Sequence, residues 1–213
     1  DVVLFIMTVM GGRVIPMFTN NGVPGAGASR HALVEKFALG TIILLFAADL
    51  IQLPQPIIAT IALTGALAHG VRLYLWNPWR TLATPLVWIL HAAYAWIVAH
   101  LVLRGLSALD LLAASYAIHA LTVGAIGGLT LGMMTRTARG HTARPLKADG
   151  FELAMFLLVQ LAAVVRVFVG IASPGLYMTS IQLSGLLWAA AFGLYAIRYW
   201  PILTRPRLDG KPG

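Results

Sequence analysis

The chain has 213 residues, of which 59% are hydrophobic and only 10% charged, and its mean hydropathy is +0.83, a balance that a soluble domain of this size does not carry. Lys and Arg outnumber Asp and Glu by 15 to 7, for a net charge of +8, but the basic residues stand between apolar runs rather than in a patch on a polar surface, which argues against a nucleic-acid partner. With no cysteine, disulfides, thiolate zinc sites, iron–sulfur clusters and thiolate-ligated haem are excluded, so any metal must use His, Met, carboxylate, Tyr or backbone oxygen.

Seven apolar segments are predicted as membrane-crossing helices: 2–19, 33–53, 56–76, 84–104, 109–135, 151–172 and 177–200. Each is close to or longer than the roughly 20 residues a helix needs to cross a bilayer. The expected fold class is therefore all-α, a polytopic transmembrane bundle of about seven helices in one membrane domain. The first segment begins in mid-run at Asp1, without the n-region or cleavage site of a signal peptide. That start makes the chain the expected C-terminal part of a longer protein. Pro54 with Pro56, Asn77-Pro78, Gly105 and Ser173-Pro174-Gly175 mark turns, and such short connections make neighbouring helices antiparallel.

If the segments alternate, nearly all the basic residues fall on one side, from Arg13 and Arg30 through Arg80, Arg136 and Arg144 to Lys211. Only Arg104 lies plainly in a loop on the other. By the positive-inside rule the basic side is cytoplasmic, which puts the C-terminus inside and the start of the chain outside. A weak repeat supports the count. Gly11-Gly12-Arg13-Val14-Ile15-Pro16-Met17-Phe18-Thr19 parallels Gly127-Gly128-Leu129-Thr130-Leu131-Gly132-Met133-Met134-Thr135, as in a parallel four-helix unit used more than once. Val3 stands in register with His119.

The fifth segment is expected at the centre of the bundle. Gly124, Gly128 and Gly132 recur every fourth residue, which suits close helix packing, and His119 lies inside the run, where an imidazole must find a partner. His69 and His91 are about 10 Å from the basic ends of their helices, and His119 lies 5 to 10 Å nearer the other side, at about 1.5 Å per residue, so the three are expected to face one cavity. His91 has Trp88 and Tyr94 three residues to either side, and His119 has Tyr116 and Thr122; such faces suit a flat aromatic macrocycle. His100 is half a turn out of phase with His91 and is read as interfacial, His31 as a loop residue. Membrane histidines also bond simply from helix to helix, a reading that weighs as much as function for His69. The methionines at 10, 17, 133 and 134 are read as gap-filling core rather than copper ligands. The segment Arg139-Gly-His141-Thr-Ala-Arg144-Pro-Leu is placed in a basic loop, touching lipid headgroups or holding an anion such as a haem propionate. Asp49, Arg104, Asp110 and Arg166 gather near the opposite face and are expected to pair.

Met-Gly-Gly-Arg-Val-Ile-Pro-Met-Phe-Thr-Asn-Asn at 10–21, Leu-His-Ala-Ala-Tyr-Ala-Trp at 90–96, His-Ala-Leu-Thr-Val-Gly-Ala-Ile-Gly at 119–127 and Met-Thr-Arg-Thr-Ala-Arg-Gly-His-Thr-Ala-Arg-Pro-Leu at 134–146 resemble the NnrS family along nearly the whole chain. The resemblance implies a bacterial inner-membrane protein of the nitric oxide response that contains haem and copper, and it corresponds to the C-terminal half of such a protein, without the early His-Ala-His-Glu span. It makes His91, His119 and His69 the metal-ligand candidates, and adds Arg13, Arg136, His141 and Arg144 as cofactor-binding candidates. The implied partners are the lipid bilayer, nitric oxide, and a missing N-terminal half or second chain. The alternative is a transporter or membrane scaffold without metal. No enzyme class is assigned.

Overall fold

The structure, a computed structural model, describes residues 1–211. Its long helices are α1 (Val2–Gly22), α2 (Ala32–Leu50), α3 (Gln55–Leu75), α4 (Pro85–Ala108), α5 (Ala114–His141), α6 (Gly150–Ala172) and α7 (Tyr177–Leu203). Short 3-10 turns lead into α4 and α7, and there is no strand among the described residues. Six of the seven, all but α2, are long and apolar enough to cross a membrane, which makes this a multi-pass membrane protein. The exception, α2, carries Glu35, Lys36 and Asp49. Its two carboxylates are compensated: Glu35 pairs with Arg72 and Asp49 with Arg104.

Two ends of the bundle are tied differently. At the far end, Arg104 of α4 bridges Asp1 before α1 and Asp49 of α2. At the basic end, Asn77 and Arg80 donate to the carbonyls of Ala26, Gly27 and Gly25, joining the α1–α2 and α3–α4 connections. There too, Arg198 of α7 pairs with Asp149, the residue that caps α6.

The centre is α4 rather than the fifth helix. Ile89, Leu90, Ala93, Tyr94, Ile97 and Leu101 are fully buried along it, and it packs on α3 to one side and on α5 to the other. The glycine stripe is what lets α5 approach. A Cβ at Gly124 would overlap the Trp96 ring, one at Gly128 would lie 2.7 Å from the Ala93 Cβ, and one at Gly132 would lie 2.9 Å from Leu90. The fifth helix also starts and ends later than the apolar run 109–135. Asp110 takes a positive φ of 57° in the connection after α4, while Arg136, Arg139 and His141 continue the helix instead of opening a loop. The helix persists because Arg139 turns inward, donating to Glu152 at 2.6 Å and to the Tyr199 hydroxyl at 3.1 Å. Two helices are interrupted by π-helical turns, Ala120–Ile126 in α5 and Val165–Val169 in α6. Such turns insert an extra residue into the α period and are frequent at functional sites.

Candidate imidazole sites

Hydrogen bonding decides which histidine nitrogens are available, because a neutral imidazole has one N–H and one lone pair, and a carbonyl can only accept. His69 is fully committed. Its Nε2 lies 3.0 Å from the Ala38 carbonyl and so carries the proton, and its Nδ1 accepts from the Tyr94 hydroxyl at 2.6 Å. Arg72 in turn donates to Tyr94 at 2.9 Å, to the Thr8 carbonyl at 2.7 Å, and through two nitrogens to Glu35 at 2.8 and 2.5 Å. This network fastens α1, α2, α3 and α4 together. It needs Gly12: a Cβ there would overlap the Arg72 guanidinium, whose Cζ would be 2.5 Å away. The glycine pair that signalled a repeat in the sequence therefore makes room for a buried cation.

His91 is different. The Thr19 hydroxyl gives its one proton to the Ile15 carbonyl at 2.8 Å, so it accepts from His91 Nε2, also at 2.8 Å. His91 Nδ1 is then a bare lone pair, buried and without a partner. The indole of Trp76 meets this ring edge-on at 6.3 Å, and its N–H is unpaired as well.

His119 uses both nitrogens. Nδ1 donates to the Ser115 carbonyl, and Nε2 accepts from Arg166 at 2.8 Å. His100, expected to be interfacial, is buried: Nδ1 donates to the Ala117 carbonyl at 2.8 Å and Nε2 is left without a partner. It borders a cavity of about 170 Å³ with Arg104, Ser107 and Ala117. Among the described residues, the two free imidazole nitrogens of the bundle interior, His91 Nδ1 and His100 Nε2, thus both belong to α4. Only a count of its bonds distinguishes His100, and sequence spacing carries no such signal.

The three histidines expected around one cavity divide into two sets. His69 and His91 are linked through Tyr94 and Trp76, whose rings lie 4.6 Å apart. His119 stands apart with Arg166 and Ser115. The bond from His100 to Ala117 levels α4 with α5, which puts His119 about 10 Å from His91 in depth at 1.5 Å per residue. The π-helical turn that begins directly after His119 also breaks the α phase by which its face was extrapolated. Among the described residues, no three His, Asp or Glu side chains come together as a metal cluster.

The cationic candidates are likewise dispersed. Arg136 is buried with its guanidinium 3.9 Å over the Phe18 ring, and no carboxylate among the described residues pairs with it. Arg144 donates to the Ile202 carbonyl at 3.4 Å, His141 is the exposed last residue of α5, and Arg13 is exposed in the middle of α1. Met7, Met10, Met133 and Met134 border an apolar groove of about 410 Å³ between α1 and α5 that reaches Leu90 but not His91.

Residues 1–207 match the family model described as NnrS protein. The chain belongs to the NnrS family. No curated protein and no solved structure matches it. Within this NnrS chain the segment 10–21 supplies both Gly12, which admits Arg72, and Thr19, which orients His91. The segment 90–96 supplies His91, Tyr94 and Trp96, the last donating to Gln160 of α6 at 2.8 Å. The segment 134–146 supplies Arg139 to a second buried network, in which fully buried Glu152 also accepts from Tyr199 at 2.7 Å and from the Asp149 backbone at 2.8 Å. A first-turn carboxylate held by arginine, with a tyrosine bound to the same network, thus recurs in α2 and α6.

Proposed function

We propose that this NnrS-family chain binds haem, with copper as a candidate second metal, in the bacterial inner membrane, with its C-terminus cytoplasmic, as part of the nitric oxide response. The observation that supports this reading is the bare Nδ1 of His91. A buried acceptor left unsatisfied costs roughly 1–3 kcal/mol, and a neutral imidazole lone pair is the donor that iron and copper take. Thr19 fixes the tautomer and the ring orientation through Nε2, as the outer partner of a metal-binding histidine does. Trp76 packs edge-on against the imidazole, which is buried, and Arg136 offers a guanidinium for an anionic group such as a propionate.

The fit is that of one donor atom. No described cavity is lined by His91, so a haem or copper ion there requires the packing around Nδ1 to open while Thr19 keeps its bond to Nε2. His69 and His119 would each have to surrender a hydrogen bond to become ligands. The remaining coordination positions fall to a second chain or to polypeptide outside this sequence. A bound metal would supply the site at which nitric oxide is ligated.

The saturation of His69 and His119 favours a second reading, a scaffold or transporter without metal whose histidines tie helix to helix. An optical spectrum and metal analysis of the purified protein separate the two. The metal reading expects a Soret band or stoichiometric copper, removed by His91→Ala and retained in His69→Ala and His119→Ala. Neither signal in the wild-type protein would leave the scaffold reading.

A further inference from the structure

Arg166 is a buried cation that no carboxylate among the described residues compensates. It is 8% exposed and lies within the π-helical turn of α6. The seven acidic residues are otherwise accounted for. Asp1 and Asp49 hold Arg104, Glu35 holds Arg72 and Arg30, Asp149 holds Arg198, Glu152 holds Arg139 and Asp209 holds Arg207. Asp110 is exposed in the connection before α5. The neighbours of Arg166 are instead neutral: the lone pair of His119 Nε2 at 2.8 Å and the face of Tyr177 at 5.3 Å. A guanidinium offers five N–H groups, and one bond to an imidazole leaves most of them and the whole charge unmatched. Inside a membrane protein such a charge is expensive and marks a functional position by default.

A cavity of about 210 Å³ opens beside it, between α5, α6 and α7, with Val123, Ile181, Ser184, Gly185 and Trp188 as its other walls. Val123 belongs to the π-helical turn of α5, so both irregular turns face this space. Ser184 spends its proton on the Ala162 carbonyl at 2.8 Å and can only accept. The Trp188 indole forms another wall of the same space. We infer that this cavity binds a small oxyanion of carboxylate size, held by the unused N–H groups of Arg166. Gly185 and Trp188 are exposed on the outer surface of α7. The anionic oxygens therefore come either from a free ion or from the head of a single-chain amphiphile entering past that mouth. The chemistry at the guanidinium is the same for both.

Calorimetric titration of the purified full chain in a neutral detergent tests this, with acetate as the free anion and laurate as the amphiphile. No bound metal is needed, so the outcome is independent of the haem or copper reading. Saturable binding of acetate identifies a water-borne ligand, and binding of laurate alone a membrane-borne one; either is the expected result. Arg166→Gln lowers the affinity at least tenfold, and Arg166→Lys retains part of it. Gly185→Leu blocks the mouth without touching the cation, and it is tolerated because a Cβ at Gly185 meets no atom within 4 Å. Failure of both probes to bind, or unchanged affinity in Arg166→Gln or in Gly185→Leu, overturns the assignment.

Discussion

Gly12→Ala tests the buried network around Arg72 with the smallest possible change. The new methyl would overlap the guanidinium, whose Cζ would lie 2.5 Å away. Arg72 is 1% exposed and held by Glu35, Tyr94 and Thr8, so it has no room to retreat without leaving them. Displacing one member of a buried ion pair costs roughly 3–5 kcal/mol, and the alanine regains less than 1 kcal/mol of helix propensity over glycine. The expected net loss is therefore about 3 kcal/mol. Reversible unfolding in mixed micelles, followed by far-ultraviolet circular dichroism, measures it. Gly40→Ala serves as the control: a Cβ there meets nothing within 4 Å, and the substitution should be neutral or slightly stabilising. In an Arg72→Ala background Gly12→Ala should cost little, because the clashing group is gone and the two changes share one cause. Full wild-type stability of Gly12→Ala, or simple additivity with Arg72→Ala, would refute the reasoning.

Three further outcomes are expected. Gly124→Ala drives a methyl into the Trp96 ring and should cost about 1–3 kcal/mol by overpacking, whereas Gly193→Ala, with open space around its Cβ position, should unfold with the wild-type midpoint. Glu152→Ala leaves Arg139 buried without its anion and should lose about 3–5 kcal/mol; a loss no larger than that of the exposed change Asp209→Ala, in the same unfolding assay, would contradict the network described. Thr19→Val removes the acceptor that holds His91 Nε2–H, so the metal signal proposed for His91 should shift in its spectrum or weaken, while Thr122→Val, on the exposed face of α5, should leave it unchanged.

The number and kind of helices were legible in the residues themselves, because crossing a bilayer demands apolar length and intrahelical hydrogen bonds that composition reports directly. The close approach of α5 was legible too, since glycines every fourth residue lie on one face of any α-helix and have no side chain to hold a neighbour away. Family membership was equally visible, in separated motifs occurring in order.

Which histidine is free could not be read that way. Spacing put His69, His91 and His119 together and His100 at the edge, yet a nitrogen's availability depends on what the opposing helix presents. Ala38 and Tyr94 exhaust His69 and Ser115 and Arg166 exhaust His119, whereas Thr19, with its single proton already given to Ile15, leaves His91 a bare Nδ1, and Ala117, taking only Nδ1–H, leaves His100 a bare Nε2. Arg166 was likewise expected among ion-paired residues, and the fold instead set it over an open cavity. Composition and periodicity are properties of the chain taken locally, so they survive without knowledge of neighbours. Hydrogen-bond partners and uncompensated charge are properties of contacts between helices, and only the packed bundle decides them.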